Sequence, residues 1–280
     1  MLRDMKYRNK KLVYLDYNLY SIFKGPTNPE HVLLCEFLKA NEDKIQLVYS
    51  DAHLDDLSKG KIPRLIEKDL ENISGFTNDF CLVNYWGRKH ITLQKRSIKE
   101  FYESQKKEQN NGCIGFIKWL TFLGLNKFWQ KIRSNQVPKT HREDVSKISN
   151  YSVSKINQLV ENIGQYNSFD EWVDAQLQTS TISYKNANII DYYTTAYNTL
   201  DLISYYPEKL DKKNKFENLF NDAKHSAYGS QCDAFITNDY KCYLKSKFMF
   251  KFTSSKSILI KTVRLKNLDV LKQELISLTK

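Results

Sequence analysis

Three short runs of apolar residues along the chain each end abruptly in acidic and other polar side chains. Leu12–Leu15 is followed by Asp16, Ile45–Tyr49 by a serine and several acids, and Ala234–Ile236 by a Thr-Asn-Asp sequence that ends at Asp239. Short continuous apolar runs are typical of strands that are buried on both faces, as in parallel sheets. The pattern therefore predicts a parallel sheet whose strands open into polar residues.

A helical pattern precedes the third run. Leu219, Ala223 and Ala227 recur at a four-residue step, so they lie on one apolar face of a helix. Asp222 and His225 are three positions apart and are therefore neighbours on one flank of the same helix. A helix that leads into a buried strand is the repeating arrangement of an α/β fold.

Two residues are expected at the boundaries of helices that flank these strands. Ser50 suits the N-cap of a helix beginning at Asp51, because its hydroxyl can accept a hydrogen bond from a backbone N–H of the first turn. Gly229 is expected to end the helix that carries His225, because glycine readily adopts the left-handed conformation of many helix C-caps. Both assignments predict short connections between helices and strands.

The alternation of strand and helix holds at both ends of the chain and is lost in the middle. Residues 1–75 and 215–280 are typical of an α/β core, in which a Rossmann-like parallel sheet is flanked by helices. Residues 76–214 are mainly helical in pattern, although Phe80–Tyr85 and His90–Leu93 are compatible with short strands or loops. We therefore expect a large all-helical insertion, which would serve substrate binding, oligomer contacts or a partner.

Acids at the carboxyl ends of the predicted strands form a candidate site, because open α/β sheets bind ligands at that edge. They are Asp16, Asp51, Asp55, Asp56 and Asp239, and Asp222 can reach the same edge from the helix that precedes the third run. Carboxylates that gather in a partly buried site repel one another and are tolerated when a cation neutralises them. Hard oxygen ligands suit Mg²⁺ or Mn²⁺, so the pattern predicts one of these ions as the cofactor.

Three sequence blocks, YLDYN, VYSDAHLDDL and NDAKHSAYGSQCDAFITND, together resemble a PIN domain, the fold of a class of metal-dependent nucleases. The resemblance covers residues 10–60 and 215–265 and does not extend to the middle of the chain. The catalytic and metal-binding acids that it implies are Asp16, Asp56, Asp222 and Asp239. The expected reaction is hydrolysis of a phosphodiester bond by a water that the metal orients and deprotonates.

Further roles follow from the same resemblance. The family places its second acid in a helix after a strand-end serine, which favours Asp56 and keeps Asp51 and Asp55 as alternatives. The Asp-x-x-His spacing resembles PIN-like branches among bacterial toxins and RNases, and it assigns His225 to orienting a metal-bound water or a phosphate. Asp233 would be an extra acid of that branch, although it precedes its strand and is expected at the opposite end of the sheet.

Other polar and basic residues are expected to support this site. The side chains predicted to hydrogen-bond the metal-binding carboxylates are those of Asn18, Ser50, Thr237 and Asn238. The residues predicted to contact RNA phosphates, from a loop of the insertion, are Arg133, Lys139 and Arg142. The alternative for these basic residues is an ordinary solvated surface.

Composition adds a preference for an anionic partner. The formal net charge is +11, from 43 Lys and Arg against 32 Asp and Glu, which suits a polyanion such as RNA. Five cysteines without a Cys-x-x-Cys pair indicate reduced thiols and a cytoplasmic location. No apolar stretch reaches the length of a membrane span, so no membrane partner is expected.

These observations predict a metal-dependent endoribonuclease, with RNA favoured over DNA as the substrate. The resemblance further suggests a toxin or antiviral-defence role, a homodimer and a regulatory, antitoxin-like protein partner. The alternatives are a structure-specific DNA nuclease of related fold and a catalytically inactive PIN-like module that binds RNA or protein. A haloacid-dehalogenase phosphatase is disfavoured because Asn18 stands where that class requires a second aspartate. Nucleotide-fuelled chemistry is not expected, because the chain has 9 glycines and no glycine-rich phosphate loop.

Overall fold

A computed structural model gives the fold. It describes residues 9–85, 90–111, 152–163, 166–179, 187–203, 216–265 and 267–279. The chain divides into two compact units. The first unit comprises Met1–Trp86, His90–Gln109 and His225–Lys280, and the second comprises Gly87–Lys89 and Asn110–Lys224.

Six strands form one sheet in the first unit. They are β1 (Lys11–Leu15), β2 (Ile45–Ser50), β3 (Phe80–Val83), β4 (Thr92–Lys95), β5 (Ala234–Thr237) and β6 (Ile258–Lys261). The spatial order is β4-β3-β2-β1-β5-β6, and every neighbouring pair is parallel except β3 and β4. The predicted α/β class with a mostly parallel sheet is confirmed, and all three apolar runs are strands.

Eleven helices lie in the described part of the chain. They are α1 (Tyr17–Ile22), α2 (Pro29–Ala40), α3 (Asp51–Ser58), α4 (Pro63–Thr77), α5 (Ile98–Asn111), α6 (Val153–Ile163), α7 (Phe169–Thr179), α8 (Ile189–Leu202), α9 (Phe216–Ser230), α10 (Tyr240–Phe252) and α11 (Leu268–Leu278). Proline starts α2 and α4 at a position where its missing N–H costs no helical hydrogen bond. None of the helices in these described ranges is long and apolar enough to cross a membrane.

The two faces of the sheet carry different layers. Val13 and Leu15 of β1 join a buried apolar cluster that also contains Leu34 of α2 and Leu271 of α11. Because side chains alternate along a strand, the intervening Tyr14 lies on the other face. There it is fully buried, and its ring meets those of residues from α9 and β5.

The sheet extends past residue 75, the predicted end of the N-terminal part of the core. The Phe80–Tyr85 segment, which the sequence left open, supplies β3, and all four strand residues are buried beside β2. The His90–Leu93 segment leads into β4, an edge strand that is half-exposed and antiparallel to β3. The first unit therefore continues through α5 to Gln109.

Gly229 does not end a helix, contrary to the prediction. It lies inside α9, which continues to Ser230, and no left-handed conformation is needed there. A Cβ atom at this position would lie 2.5 Å from Cγ of Phe235, so the absence of a side chain lets α9 approach β5 closely. Leu219, Ala223 and Ala227 are all fully buried, as their spacing predicts.

The described elements of the second unit are helical, as the apolar periodicity of this region predicts. Gln176 of α7 donates a hydrogen bond from Nε2 to Oγ1 of Thr199 of α8 at 2.7 Å. Asn157 of α6 accepts a hydrogen bond from the backbone N–H of Phe169 at 3.0 Å. The loop predicted to contact RNA, with Arg133, Lys139 and Arg142, lies outside the described residues.

Candidate functional site

The candidate site lies where the strand order of the sheet reverses. From β1 the chain proceeds outward to β2 and β3 on one side and later returns to β5 and β6 on the other. Ligands of open α/β sheets bind in the crevice at such a switch point, outside the carboxyl ends of the strands. Asp16 follows β1 and Thr237 ends β5, and the Thr237 hydroxyl donates to Oδ2 of Asp16 at 2.9 Å.

Asp16 is a buried carboxylate that no helix cap explains. It occupies the N-cap position of α1, yet its side chain makes no capping hydrogen bond. Its exposed fraction is 5%. Burial raises the pKa of Asp16, His225 opposes this rise, and the charges of Asp56 and Asp239 add to it. Asp16 therefore stands among negative charges that disfavour its ionised form.

Asp239 combines a structural role with a position at the same edge. Its Oδ1 accepts hydrogen bonds from the backbone N–H groups of Lys241 and Cys242, both at 2.8 Å, and so caps α10. The backbone N–H of Asp239 donates to Oγ1 of Thr237 at 3.0 Å. Thr237 therefore links the carboxylate of Asp16 to the start of α10.

The carboxylate of Asp56 contacts two side chains, those of His225 and Lys59. Nε2 of His225 lies 2.9 Å from Oδ2 of Asp56, and Nζ of Lys59 lies 2.6 Å from Oδ1. Burial alone would raise the pKa of Asp56, but the hydrogen bond and charge of His225, together with Lys59, hold that pKa below its usual range. Asp56 is therefore ionised at neutral pH.

A buried polar layer lies beneath these carboxylates. Oη of Tyr14 lies 2.8 Å from Nδ1 of His225 and 2.7 Å from Oγ of Ser50. His225 is 1% exposed, so its ring touches little solvent. One ring nitrogen of His225 therefore contacts Asp56, and the other contacts the Tyr14 hydroxyl. Tyr14 therefore fixes the orientation of His225.

His53 completes this layer as a neutral imidazole. Its Nδ1 accepts the backbone N–H of Ser50 at 3.0 Å, so its Nε2–H donates to the carbonyl of Leu15 at 2.8 Å. Burial, and then the neighbouring His225, lowers the pKa of His53 to about 3. Ser50 caps α3 as predicted, by accepting from the N–H of Ala52 at 3.2 Å.

Tyr14 and His53 were not among the site residues predicted from the sequence. Tyr14 interrupts a run of aliphatic residues in a strand buried on both faces, and a buried tyrosine hydroxyl usually finds a hydrogen-bond partner. His53 stands three residues after Ser50, where capping boxes carry a side chain that returns to the N-cap backbone. Both signals are local and were available in the sequence.

The alternative acids after β2 are engaged elsewhere. Oδ1 of Asp55 accepts a hydrogen bond from Nε2 of Gln105 on α5 at 2.9 Å. Asp51 is hydrogen-bonded to the Tyr228 hydroxyl, and this contact contributes to the raised pKa of Tyr228, after the larger effect of burial. Among these three acids, Asp56 is therefore the one that contacts His225.

Asp233 lies at the amino edge of the sheet, as its position before β5 predicts. Its Oδ2 accepts the backbone N–H of Leu12 at 2.8 Å, and its own N–H donates to the carbonyl of Leu12 at 2.9 Å. These contacts join the start of β5 to the start of β1. Asp233 is thus at the end of the strands opposite to Asp16.

Two polar residues predicted to support the carboxylates are placed differently from Thr237. Oδ1 of Asn238 accepts a hydrogen bond from Oγ1 of Thr262 at 3.2 Å and lies 3.4 Å from Nε2 of His31. Asn18 is exposed on α1. Asn238 therefore joins β5 to the chain after β6, whereas Thr237 contacts Asp16 directly.

Helix α9 crosses the boundary between the two units. His225 belongs to the first unit, and Asp222, one helical turn earlier, belongs to the second. The cluster within the first unit therefore consists of the carboxylates of Asp16, Asp56 and Asp239 with His225. The place of Asp222 in a shared site remains a prediction.

The carboxylate cluster fits a hard divalent cation by donor type and charge, without forming a ready-made cage. In the part of the chain that the structure describes, no group of three or more His, Cys, Asp or Glu side chains is arranged to hold a metal ion. Magnesium is usually bound by one or two carboxylates together with water and substrate phosphates, so a full protein cage is not required. Thr237 donates to the carboxylate of Asp16 and accepts the backbone N–H of Asp239, so it links these two acidic residues.

Comparisons of the chain with protein-family profiles, with curated proteins and with solved structures find no match. The fold is compatible with a Rossmann-like α/β class. The PIN-like identity therefore stays a prediction from the three sequence blocks.

Proposed function

We propose that the chain is a metal-dependent endoribonuclease that hydrolyses phosphodiester bonds of RNA. The observation that carries this proposal is Asp16, a buried carboxylate at the switch point that caps no helix and is opposed by the charges of Asp56 and Asp239. Such a group destabilises the fold unless a cation or a proton neutralises it. An Mg²⁺ or Mn²⁺ ion would relieve this repulsion.

Asp16 and Asp239 are the residues that would hold the ion. When bound, the ion would lower the pKa of a coordinated water and stabilise the charge that develops on the phosphate. Thr237 orients Asp16 through its hydroxyl, and α10 fixes Asp239 through two backbone N–H groups. These contacts limit the rotation of both carboxylates.

Asp56 remains ionised and accepts a hydrogen bond from the attacking water. The low pKa of Asp56 makes it a weak base, so its part is to orient the water and to add negative charge. His225 is buried and acts as a positioning residue, because it holds Asp56 from one side and is itself held by Tyr14. This replaces the direct role for His225 that the resemblance suggests.

RNA is the proposed substrate because of the net charge of +11 and the resemblance to PIN-like RNases. The same resemblance supports a toxin or antiviral-defence role, a homodimer and a regulatory protein partner in the cytoplasm. The four cysteines that the structure describes are buried and form no disulfides, which is consistent with that compartment. A DNA strand of related sequence is the competing substrate.

The proposal is tested by incubating the purified full-length chain with labelled single-stranded RNA in Mg²⁺ or Mn²⁺ and in chelator. We expect internal cleavage with metal and none with chelator. The variants D16N and D239N should each lose at least about 100-fold in rate, as expected for groups that stabilise a transition state. The matched control D269N changes an exposed aspartate of α11 and should keep full activity.

Equal cleavage with and without chelator would remove the metal mechanism. Full activity of D16N would remove the assignment of Asp16. A parallel incubation with the DNA strand distinguishes an RNase from a DNase.

A further inference from the structure

A group of cationic and aromatic side chains lies at the carboxyl edge of the sheet, beyond β5. We name it the cationic aromatic patch, and its members are Tyr240, Tyr243, Lys261 and Arg264. Tyr240 directly follows Asp239 at the start of α10, and Lys261 is the last residue of β6. Because β5 and β6 are parallel, the patch lies on the same edge of the sheet as Asp239.

The patch is built from close contacts between charges and rings. Cζ of Arg264 lies 4.3 Å from the centroid of the Tyr240 ring. Nζ of Lys261 lies 5.6 Å from the same centroid and 5.3 Å from that of Tyr243. At these distances both cations are attracted by the electron-rich ring faces. The four side chains therefore form one connected surface.

Neither cation is neutralised by an ion pair within the described residues. Lys261 and Arg264 have no carboxylate within salt-bridge distance there, although Glu274 is near enough for Lys261 to oppose the rise that burial causes in the pKa of Glu274. The Arg264 guanidinium lies over the Tyr240 ring. The N–H groups of a guanidinium lie in its own plane and suit the oxygens of a phosphate.

Arg264 is held in an uncommon backbone conformation. Its φ angle is 53°, in the left-handed region that residues other than glycine, asparagine and aspartate rarely adopt. Such conformations persist where the surrounding structure holds them, and they cluster at ligand sites. This backbone conformation accompanies the contact of Arg264 with the Tyr240 ring.

We propose that the cationic aromatic patch binds a segment of single-stranded RNA next to the cleaved phosphate. Lys261 and Arg264 contact phosphate oxygens, and the exposed parts of the Tyr240 and Tyr243 rings stack with unpaired bases. The inference rests on the proposed function, because it places the strand so that it continues to Asp239 and Asp16. An acidic peptide would use the cations and leave the rings without a role, so the rings favour a nucleic acid strand.

The binding arm of the test uses the full-length chain in chelator, so that no cleavage occurs. Fluorescence anisotropy measures the affinity for a short labelled oligouridylate and for an oligothymidylate of the same length. We expect R264A and K261Q each to weaken RNA binding by about tenfold at low salt. For each lost phosphate contact, the slope of log affinity against log salt should become shallower by about 0.7.

Matched controls separate the patch from general charge. Lys256 is exposed at the amino end of β6, on the opposite edge of the sheet, so K256Q removes the same charge without touching the patch. We expect K256Q to bind RNA as the unmodified chain does. Y240F keeps the ring and should retain binding, whereas Y240A should weaken it. Circular dichroism and thermal unfolding confirm that each variant is folded.

Several outcomes overturn the inference. Unchanged RNA affinity in both R264A and K261Q would do so, as would losses in K256Q of the same size. If R264A and K261Q weaken binding of the oligothymidylate and leave binding of the oligouridylate unchanged, the assignment of the patch to RNA is overturned.

The cleavage arm keeps this inference apart from the proposed function. In Mg²⁺, R264A and K261Q should raise KM for RNA and leave kcat nearly unchanged, because the patch does not touch the reacting atoms. Patch-dependent RNA binding without any metal-dependent cleavage would support the patch and refute the nuclease. Metal-dependent cleavage with no change in affinity or KM would support the nuclease and refute the patch.

Discussion

Nε2 of His225 and Oδ2 of Asp56 lie 2.9 Å apart, and this hydrogen bond joins two residues that are 169 positions apart in sequence. His225 is 2% exposed in its side chain and Asp56 18%, so the pair lies largely out of water. A charge whose partner is removed in such surroundings is costly.

Replacing His225 by alanine should lower the free energy of unfolding by about 3 kcal/mol, because Asp56 loses a donor and the Tyr14 hydroxyl loses a partner. Urea denaturation of H225A, D56A and the double variant measures the coupling, which we expect to be about 1–3 kcal/mol. K59Q removes the other, more exposed partner of Asp56 and should cost less than about 1 kcal/mol. If the losses in the free energy of unfolding caused by H225A and D56A simply add in the double variant, His225 and Asp56 are not energetically coupled.

Asp16 should limit stability while it supports activity. D16N removes a buried charge that faces other carboxylates and keeps a polar group that Thr237 can contact, so D16N should be as stable as the unmodified chain or more stable. Thermal unfolding with and without Mg²⁺ provides a second measurement. Magnesium should raise the Tm of the unmodified chain and leave that of D16N unchanged.

An equal rise in Tm with Mg²⁺ for the unmodified chain and for D16N would contradict the assignment of Asp16 to the metal site. D239N offers a comparison, because asparagine caps helices as well as aspartate does. D239N should therefore unfold like the unmodified chain and differ from it only in its response to Mg²⁺.

His53 should make stability depend on pH. The unfolded chain protonates this imidazole near pH 6.5, whereas the folded chain does so only near pH 3, because burial lowers the pKa. Between these values the unfolded state binds one more proton, so stability falls as the pH falls, by about 1.4 kcal/mol per pH unit from this residue. Above pH 6.5 the contribution is constant.

The control for this prediction is H53Q, in which the amide can accept from Ser50 and donate to Leu15 without titrating. Urea unfolding between pH 7 and pH 4 should show a shallower slope for H53Q, even though H53Q is less stable at pH 7. Identical slopes in the two chains would show that His53 is not the group that takes up the proton.

The position of Gly229 should not tolerate even the methyl side chain of alanine. The added Cβ of G229A would lie 2.5 Å from Cγ of Phe235, so α9 and β5 must separate, which typically costs about 1–3 kcal/mol. Alanine is otherwise the better helix former by about 1 kcal/mol. Gly75 of α4 is the matched control, because an added Cβ there has no heavy atom within 4 Å. G75A should therefore stabilise the chain while G229A destabilises it, as differential scanning calorimetry would measure.

The sequence predicted the central strands because each is a short apolar run that ends in acids. β1, β2 and β5 were recognised in this way, and Asp16 was located at the edge that the fold uses for ligands. β3 and β4 stayed ambiguous because the apolar run of β3 does not end in acids and β4 is a half-exposed edge strand. Because β3 and β4 were not assigned as strands, the predicted core ended at residue 75, whereas the first unit continues to Gln109.

The remaining features depend on contacts between distant residues. Gly229 was interpreted from local rules for helix ends, whereas its role comes from the approach of Phe235. Tyr14 meets His225 across 211 positions of sequence, and no periodicity reports such a pair. The choice of Asp56 over Asp55 likewise depends on which face of α3 is turned towards His225.

The pairing of β1 with β5 has a consequence for the order of events during synthesis. Leu15 pairs with Ile236, so the last strand needed at the switch point leaves the ribosome more than two hundred residues after the first. At the usual speed of translation this delay is on the order of ten seconds or longer. The nascent chain cannot bring Asp16, Thr237 and Asp239 together during that interval. A cell that makes this protein therefore holds a completed acidic cluster only after Asp239 has left the ribosomal tunnel.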